Sequence, residues 1–162
     1  MTSGDATTTQ TLLAFLAGIG IEVREGDVPA DSFLPGIRLA AGALVVDRAA
    51  LRWPGDLLHE AGHIATTPAA LRAQLDDQLA DDPAIPHRGE AEATAWAWAA
   101  LTHLGLPAGL LFHEGGYHGH AAGLAMTYSM GVHPGAAGLA RAGMASLGGA
   151  DGYPRMLRWL RG

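Results

Sequence analysis

Cysteine and lysine are absent from the 162-residue sequence, and charged residues make up only 16 % of it. Without cysteine there is no disulfide scaffold and no thiolate zinc module. All ten basic residues are arginine, which reads as coding bias rather than chemistry. The 16 acidic residues leave a formal charge of −6. That sign opposes a phosphate backbone, so nucleic acid is not an expected partner. Charge this sparse falls below the usual quarter of a chain. At 49 % hydrophobic, however, the sequence is too apolar to be disordered. Its length is that of one domain, 1–162, able to bury a core without staples.

Uninterrupted hydrophobic runs of spanning length are missing too. The apolar stretch Thr11 to Ile21 is short and is preceded by Asp5 rather than by basic residues. It has neither the flanks of a signal peptide nor the length of a span. Between Ala93 and Ala140 the only formal charge is Glu114, but Gly105, Pro107, Gly109, His103, His113 and His118 break every long window. The expectation is a cytoplasmic protein with no membrane partner. The low-charge 93–140 region would then be covered by the fold or by a second copy in a homo-oligomer.

Residues 1–10, rich in threonine, read as a loose end. A short helix is expected from Thr11 to Ala17, stopped by Gly18 and Gly20. Short apolar stretches at Ile21 to Val28, Gly36 to Leu39 and Ala43 to Val46 predict small antiparallel strands joined by tight turns. Pro54 and Asp56 suit a first helical turn, and a helix is expected from there to Ile64, ended by Thr66-Thr67-Pro68. Another is expected over about Ala69 to Leu79, before the breaker Asp81 to Pro86. The strongest helical signal runs from Glu90 to Leu104, with Gly105 as its C-terminal cap. Further helices are expected at Ala108 to Phe112, His120 to Met130, Ala136 to Met144 and Arg155 to Leu160. The layout predicts an α+β fold, a small antiparallel sheet followed by a mostly helical part.

Chemistry concentrates in His59-Glu60-Ala61-Gly62-His63, an H-E-x-x-H pattern. Residues four apart share a helix face, so both imidazoles can address one ion. Glu60 follows the first histidine directly, the general-base position of a metallohydrolase. Gly62 costs about 1 kcal/mol relative to alanine inside a helix, which suggests a close neighbour on that face. A catalytic zinc site needs a third protein ligand, and without cysteine that falls to a carboxylate or another histidine. Glu90 and Glu92 open the strong downstream helix. Glu90 shares its face with Ala93, Thr94, Ala97 and Leu101, a small-residue stripe suited to close approach. Glu92 shares a face with Trp96, Ala99 and His103 and is the alternative ligand.

Strands, then His59-Glu60-Ala61-Gly62-His63, then Glu90-Ala91-Glu92-Ala93-Thr94-Ala95-Trp96-Ala97 resembles the minimal gluzincin metallopeptidases of the ImmA/IrrE type. In that family a zinc-binding H-E-x-x-H helix is followed by a Glu-x-x-Ala-Asn-x-Phe-Ala helix. The resemblance covers about Gly36 to Leu104. It implies zinc as cofactor, His59, His63 and Glu90 as ligands, Glu60 as base and Ala93 as packing residue. It also implies a protein or peptide substrate. Thr94 departs from the usual Asn or Asp, and the helix-turn-helix domain that normally accompanies the family is not legible.

The segment Phe112 to His120 gathers His113, Glu114, Tyr117, His118 and His120 among glycines. It reads as an exposed glycine turn, as a cleft wall in which Tyr117 or His118 stabilises an oxyanion, or as a second metal site using His118 and His120. His87, His103 and His133 read as structural, and Trp96 and Trp98 as core. Two functional readings follow: a zinc-dependent metallopeptidase, or a metal-binding sensor or interaction module that keeps the site without turnover. A metal-free helical interaction protein is a third. Substrate, pathway, oligomeric state and the identity of the divalent ion are not legible.

Overall fold

A computed structural model describes residues 3–77 and 89–162 and is α+β, with a three-stranded sheet and a surrounding set of short helices. The Asp81 to Pro86 breaker and His87 lie outside the described residues. The first helix, α1 (Ser3–Gly18), is much longer than expected and includes most of the supposed loose end. Tertiary burial explains the difference. Leu12, Leu13 and Leu16 enter the core, and even Thr9 is buried, so the threonines form the first turns of a packed helix. Gly20, with φ +92°, ends it: the amides of Gly20 and Ile21 return to the carbonyls of Ala17 and Leu16.

The sheet consists of β1 (Val23–Glu25), β2 (Ile37–Ala40) and β3 (Ala43–Val46), in the order β1-β3-β2. β2 and β3 form the expected antiparallel hairpin, joined through Ala41 and Gly42 at φ +50° and +75°. β1 differs from expectation, because it runs parallel to β3 with Val23 opposite Leu44. β3 is thus the central strand, buried at all four residues, whereas β2 alternates buried Ile37 and Leu39 with exposed Arg38. The sheet is mixed rather than antiparallel.

Two helices carry the remaining architecture. α2 (Asp56–Thr66) ends where the hydroxyls of Thr66 and Thr67 bond to the carbonyls of Gly62 and His63, before Pro68. α4 (Glu90–His103) is capped at Gly105, φ +66°, as its sequence predicts. Between them α3 (Ala69–Arg72) is only one turn. The chain after it is used on the sheet instead: Leu75 accepts the Gly42 amide, and the Asp77 carboxylate accepts the Leu39 amide at 2.6 Å. Three short helices follow, α5 (Ala108–Leu111), α6 (Ala121–Ser129) and α7 (Ala136–Arg141).

The helix expected at Arg155 to Leu160 does not form. Its backbone groups are taken by tertiary bonds, Leu157 N–H and Arg158 N–H both to Met144 O, and just past it Arg161 N–H bonds to Ala65 O. Trp159 O accepts the Trp96 indole N–H at 2.9 Å. Trp96 is fully buried between α1 and this tail, against Phe15 and Trp159. Trp98 packs on Phe112 and Tyr128, and His133 sits between Tyr128 and Tyr153. His103 lies against Phe15 and Trp159. No helix among the described residues is long and apolar enough to cross a membrane.

Candidate metal centre

Close approach of α2 and α4 begins at Gly62. A Cβ there would stand 2.6 Å from Ala93 O and 3.0 Å from Ala93 Cα, well inside contact distance. Glycine on one helix and alanine on the other therefore bring the two backbones together. The contact falls between His59 and His63 on α2 and one turn inside Glu90 on α4. The expected neighbour of Gly62 and the expected facing of the Glu90 stripe are both found here.

The consequence is a three-residue cluster. Ligand atoms of His59, His63 and Glu90 all lie within 4.8 Å of one another. His59 Nε2 and His63 Nε2 are 3.2 Å apart. His59 Nε2 is 3.3 Å from Glu90 Oε2, and His63 Nε2 is 3.1 Å from Glu90 Oε1. A tetrahedral zinc with bonds of about 2.0–2.1 Å sets its ligand atoms roughly 3.3–3.4 Å apart, so these spacings fit the ion. The donor chemistry fits as well, since two imidazoles and one carboxylate are an ordinary catalytic zinc set. The Glu90 side chain is 62 % exposed, against 15 % and 19 % for the histidines, so the cluster opens to solvent on the α4 side.

Glu92 is not part of the cluster. Its carboxylate lies over α7, where a Cβ on Gly138 would run into it. Thr94 is buried in α4, and among the described residues no hydrogen bond joins it to either histidine.

The two carboxylates are tuned in opposite directions. Hydrogen bonds from His59 and then His63 hold Glu90 far below the usual carboxylate range, more than offsetting its partial burial. For Glu60 burial is the largest influence and pushes its carboxyl above the ordinary value, with His63 and His59 opposing. His63 feels burial most, which lowers its basicity. The hydrogen bond to Glu90 and the charges of Glu60 and Glu90 together outweigh that and leave it raised.

Tyr117 reaches the site from the segment after α5. Its hydroxyl is 3.3 Å from His59 Nδ1, the nitrogen on the far side of the ring from Glu90, and the two rings meet edge to face at 5.4 Å. With an ion on Nε2, the His59 proton would stand on Nδ1, from which it would donate to the Tyr117 oxygen and fix the ring. The expected oxyanion donor thus has its hydroxyl on the ligand. Burial raises the phenol well above its ordinary value, keeping it neutral. Tyr117 and His118 both adopt left-handed backbone, φ +56° and +50°. Such residues cost roughly 1–3 kcal/mol each and persist only where the surroundings over-determine them. His118, His120 and Glu114 are exposed, and no hydrogen bond ties them to the cluster among the described residues.

One pair is not anticipated by the sequence. His113 Nε2 lies 2.8 Å from Asp56 Oδ1, and both residues are buried, each only 7 % exposed. Asp56 had read only as a charge suited to the helix dipole, and its partner is 57 residues away. The available signal was spacing, because Asp56 is three residues before His59 and shares its helix face.

No family model matches the chain, and no curated protein or solved structure is similar to it.

Proposed function

We propose that the chain is a metal-dependent hydrolase acting on a protein or peptide in the cytoplasm, with zinc as the ion. The observation that carries this is the convergence of His59, His63 and Glu90 at zinc-ligand spacing next to the partly buried carboxylate of Glu60. The gluzincin resemblance of the sequence supplies the peptide-bond substrate. When bound, the ion contributes Lewis-acid polarisation of a carbonyl and a lowered pKa for a water. His59, His63 and Glu90 would hold it, the anionic Glu90 balancing part of its charge. Glu60 is the residue that takes the proton from the attacking water and returns it to the leaving amine. Its raised pKa brings it nearer to the working pH, as that exchange requires. Tyr117 keeps His59 turned toward the ion.

Glu60→Gln tests the assignment. It should retain zinc near one per chain and keep the melting temperature close to that of the parent. Hydrolysis of an unfolded-protein substrate should fall by about 10²–10⁴-fold, the usual general-base contribution. Equal turnover in the two proteins removes Glu60 from the mechanism. One observation favours the alternative of a metal-binding sensor or interaction module: Thr94 stands where the family pattern has Asn or Asp, and among the described residues no hydrogen bond joins it to either histidine. A wild type that binds zinc and cleaves nothing across a broad panel of unfolded proteins and peptides selects that reading.

A further inference from the structure

We propose that Asp56 and His113 are positioning residues, a buried clamp that holds the strained Tyr117 turn against His59 and so sets the orientation of that ligand. The proposal rests on the metal-centre reading above and adds to it a device outside the ligand set. Asp56 and His59 occupy one face of α2, three residues apart, and Tyr117 follows His113 by four residues. The segment between His113 and Tyr117 is therefore anchored at one end to the helix that carries the ligand and presents its other end to that ligand.

The anchor is rigid for identifiable reasons. The Nε2–H of His113 donates to Asp56 Oδ1 at 2.8 Å, and its Nδ1 is buried with no partner among the described residues, where Asp56 is therefore its one polar tie. Trp53, three residues before Asp56, stacks on the imidazole with ring centres 4.5 Å apart and planes 10° from parallel. The chain after His113 packs against the same two rings. A Cβ on Gly116 would stand 3.1 Å from His113 Cε1, and one on Gly115 would stand 2.5 Å from Trp53 Nε1. Both glycines thus let the backbone lie directly against the clamp. Beyond them come left-handed Tyr117 and His118, closed by His120 N–H to Tyr117 O at 2.9 Å. Two consecutive non-glycine residues in that conformation need an external restraint. The clamp is the buried polar contact placed to supply it, and the Tyr117 hydroxyl at His59 Nδ1 is what the restraint holds in place.

The test is a double-mutant cycle on the full chain, read by titrating metal-free protein with zinc against a chromogenic chelator. His113→Phe keeps a ring for Trp53 to stack on and removes the tie to Asp56. Tyr117→Phe removes the hydroxyl. Each should weaken zinc binding by about 10–100-fold, the usual effect of losing a partner behind a ligand. The double variant should bind no more weakly than the weaker single one, because both changes break the same link. Asp56→Asn leaves an amide oxygen that still accepts from Nε2–H, and it should fall between wild type and His113→Phe. Losses that multiply in the double variant, or wild-type affinity in His113→Phe, overturn the proposal. If His113→Phe does not fold, Asp56→Ala, which removes the acceptor, completes the same cycle with Tyr117→Phe. Amide exchange in the metal-free protein separates this from the metal reading: His113→Phe should accelerate exchange at Gly119 and His120 by tenfold or more, on the order expected for releasing a local unit. A wild type that takes no zinc sinks the metal centre. The clamp is then decided by exchange alone, and unchanged rates at those two amides overturn it.

Discussion

Gly62→Ala sets two ordinary expectations against each other. By helix propensity the change should stabilise α2, since alanine exceeds glycine by about 1 kcal/mol in a helix interior. By packing it should do harm, because the new methyl would meet Ala93 O at 2.6 Å, where ordinary contact begins near 3.4 Å. The neighbour is backbone of α4 and cannot rotate away, so the helices must separate by roughly 0.8 Å or tilt. Overpacking of this kind costs about 1–3 kcal/mol, leaving a net loss of roughly 0–2 kcal/mol. Over a chain this long, that is a fall in melting temperature of at most about 8 °C. The larger effect falls on the site. Glu90 is one turn from Ala93, and its oxygens now stand 3.1 and 3.3 Å from the two imidazoles. Moving α4 by most of an ångström takes that set off the tetrahedral spacing, and zinc affinity should fall by at least about tenfold. Gly123→Ala is the control, since nothing lies within 4 Å of its Cβ position in α6. It should be neutral or stabilising and leave zinc binding alone. The assays are a zinc titration and a thermal melt on the same preparations. A Gly62→Ala protein that melts higher than wild type and binds zinc as tightly refutes the claim that this contact positions Glu90.

Replacing His59 or His63 by alanine should abolish stoichiometric zinc, as read by elemental analysis of protein purified without a histidine tag; full metal in both variants refutes the site. Glu90→Gln should weaken binding strongly, whereas Glu92→Gln should leave it nearly intact because that carboxylate lies over α7. Protons compete for the imidazoles, and the surroundings of His63 raise its pKa above 6.5, so zinc affinity should begin to fall as pH drops through about that value. A flat affinity from pH 8 to 5 would contradict it. In the metal-free protein, Glu90 titrates below its ordinary 4.5 when folded. Its contribution to stability is therefore present above that pH and lost as pH falls through the acid range, and Glu90→Gln should flatten the acid limb of a melting-temperature profile.

What could be read from the sequence was what depends on local periodicity. The H-E-x-x-H helix and the Glu90 helix were legible because both are amphipathic or capped within their own residues, and Gly62 signalled a close contact before its partner was visible. The parallel pairing of β1 was not, since strand direction is set by what each strand meets and not by its own residues. The N-terminal threonines misread as a loose end because their helix is held by burial of Leu12, Leu13 and Leu16 rather than by propensity. Arg155 to Leu160 carries a helical pattern, but its amides at Leu157 and Arg158 are taken by Met144 and its carbonyl at Trp159 by Trp96. Spacing could place Asp56 on the face of His59, but its partner His113 lies 57 residues on, beyond the reach of any spacing rule.

The roles of the two acidic residues follow from their surroundings more firmly than from their order in the motif. A ligand carboxylate must stay anionic over the working range, and a base must exchange a proton within it. Glu90, accepting from two imidazoles at an exposed helix start, meets the first condition. Glu60, partly buried and raised above the ordinary value by that burial, meets the second. A divalent ion would pull both downward by its charge. That shift cannot make Glu90 a base, because it begins too low. Glu60 begins above the ordinary value, so after the same pull it still stands nearer to the working pH than Glu90 does. A site built only to hold an ion has no need of that second, partly buried carboxylate, and withdrawing it from water carries a cost that proton transfer would explain. Its presence one residue from His59 is the reason to rank hydrolysis above storage or sensing.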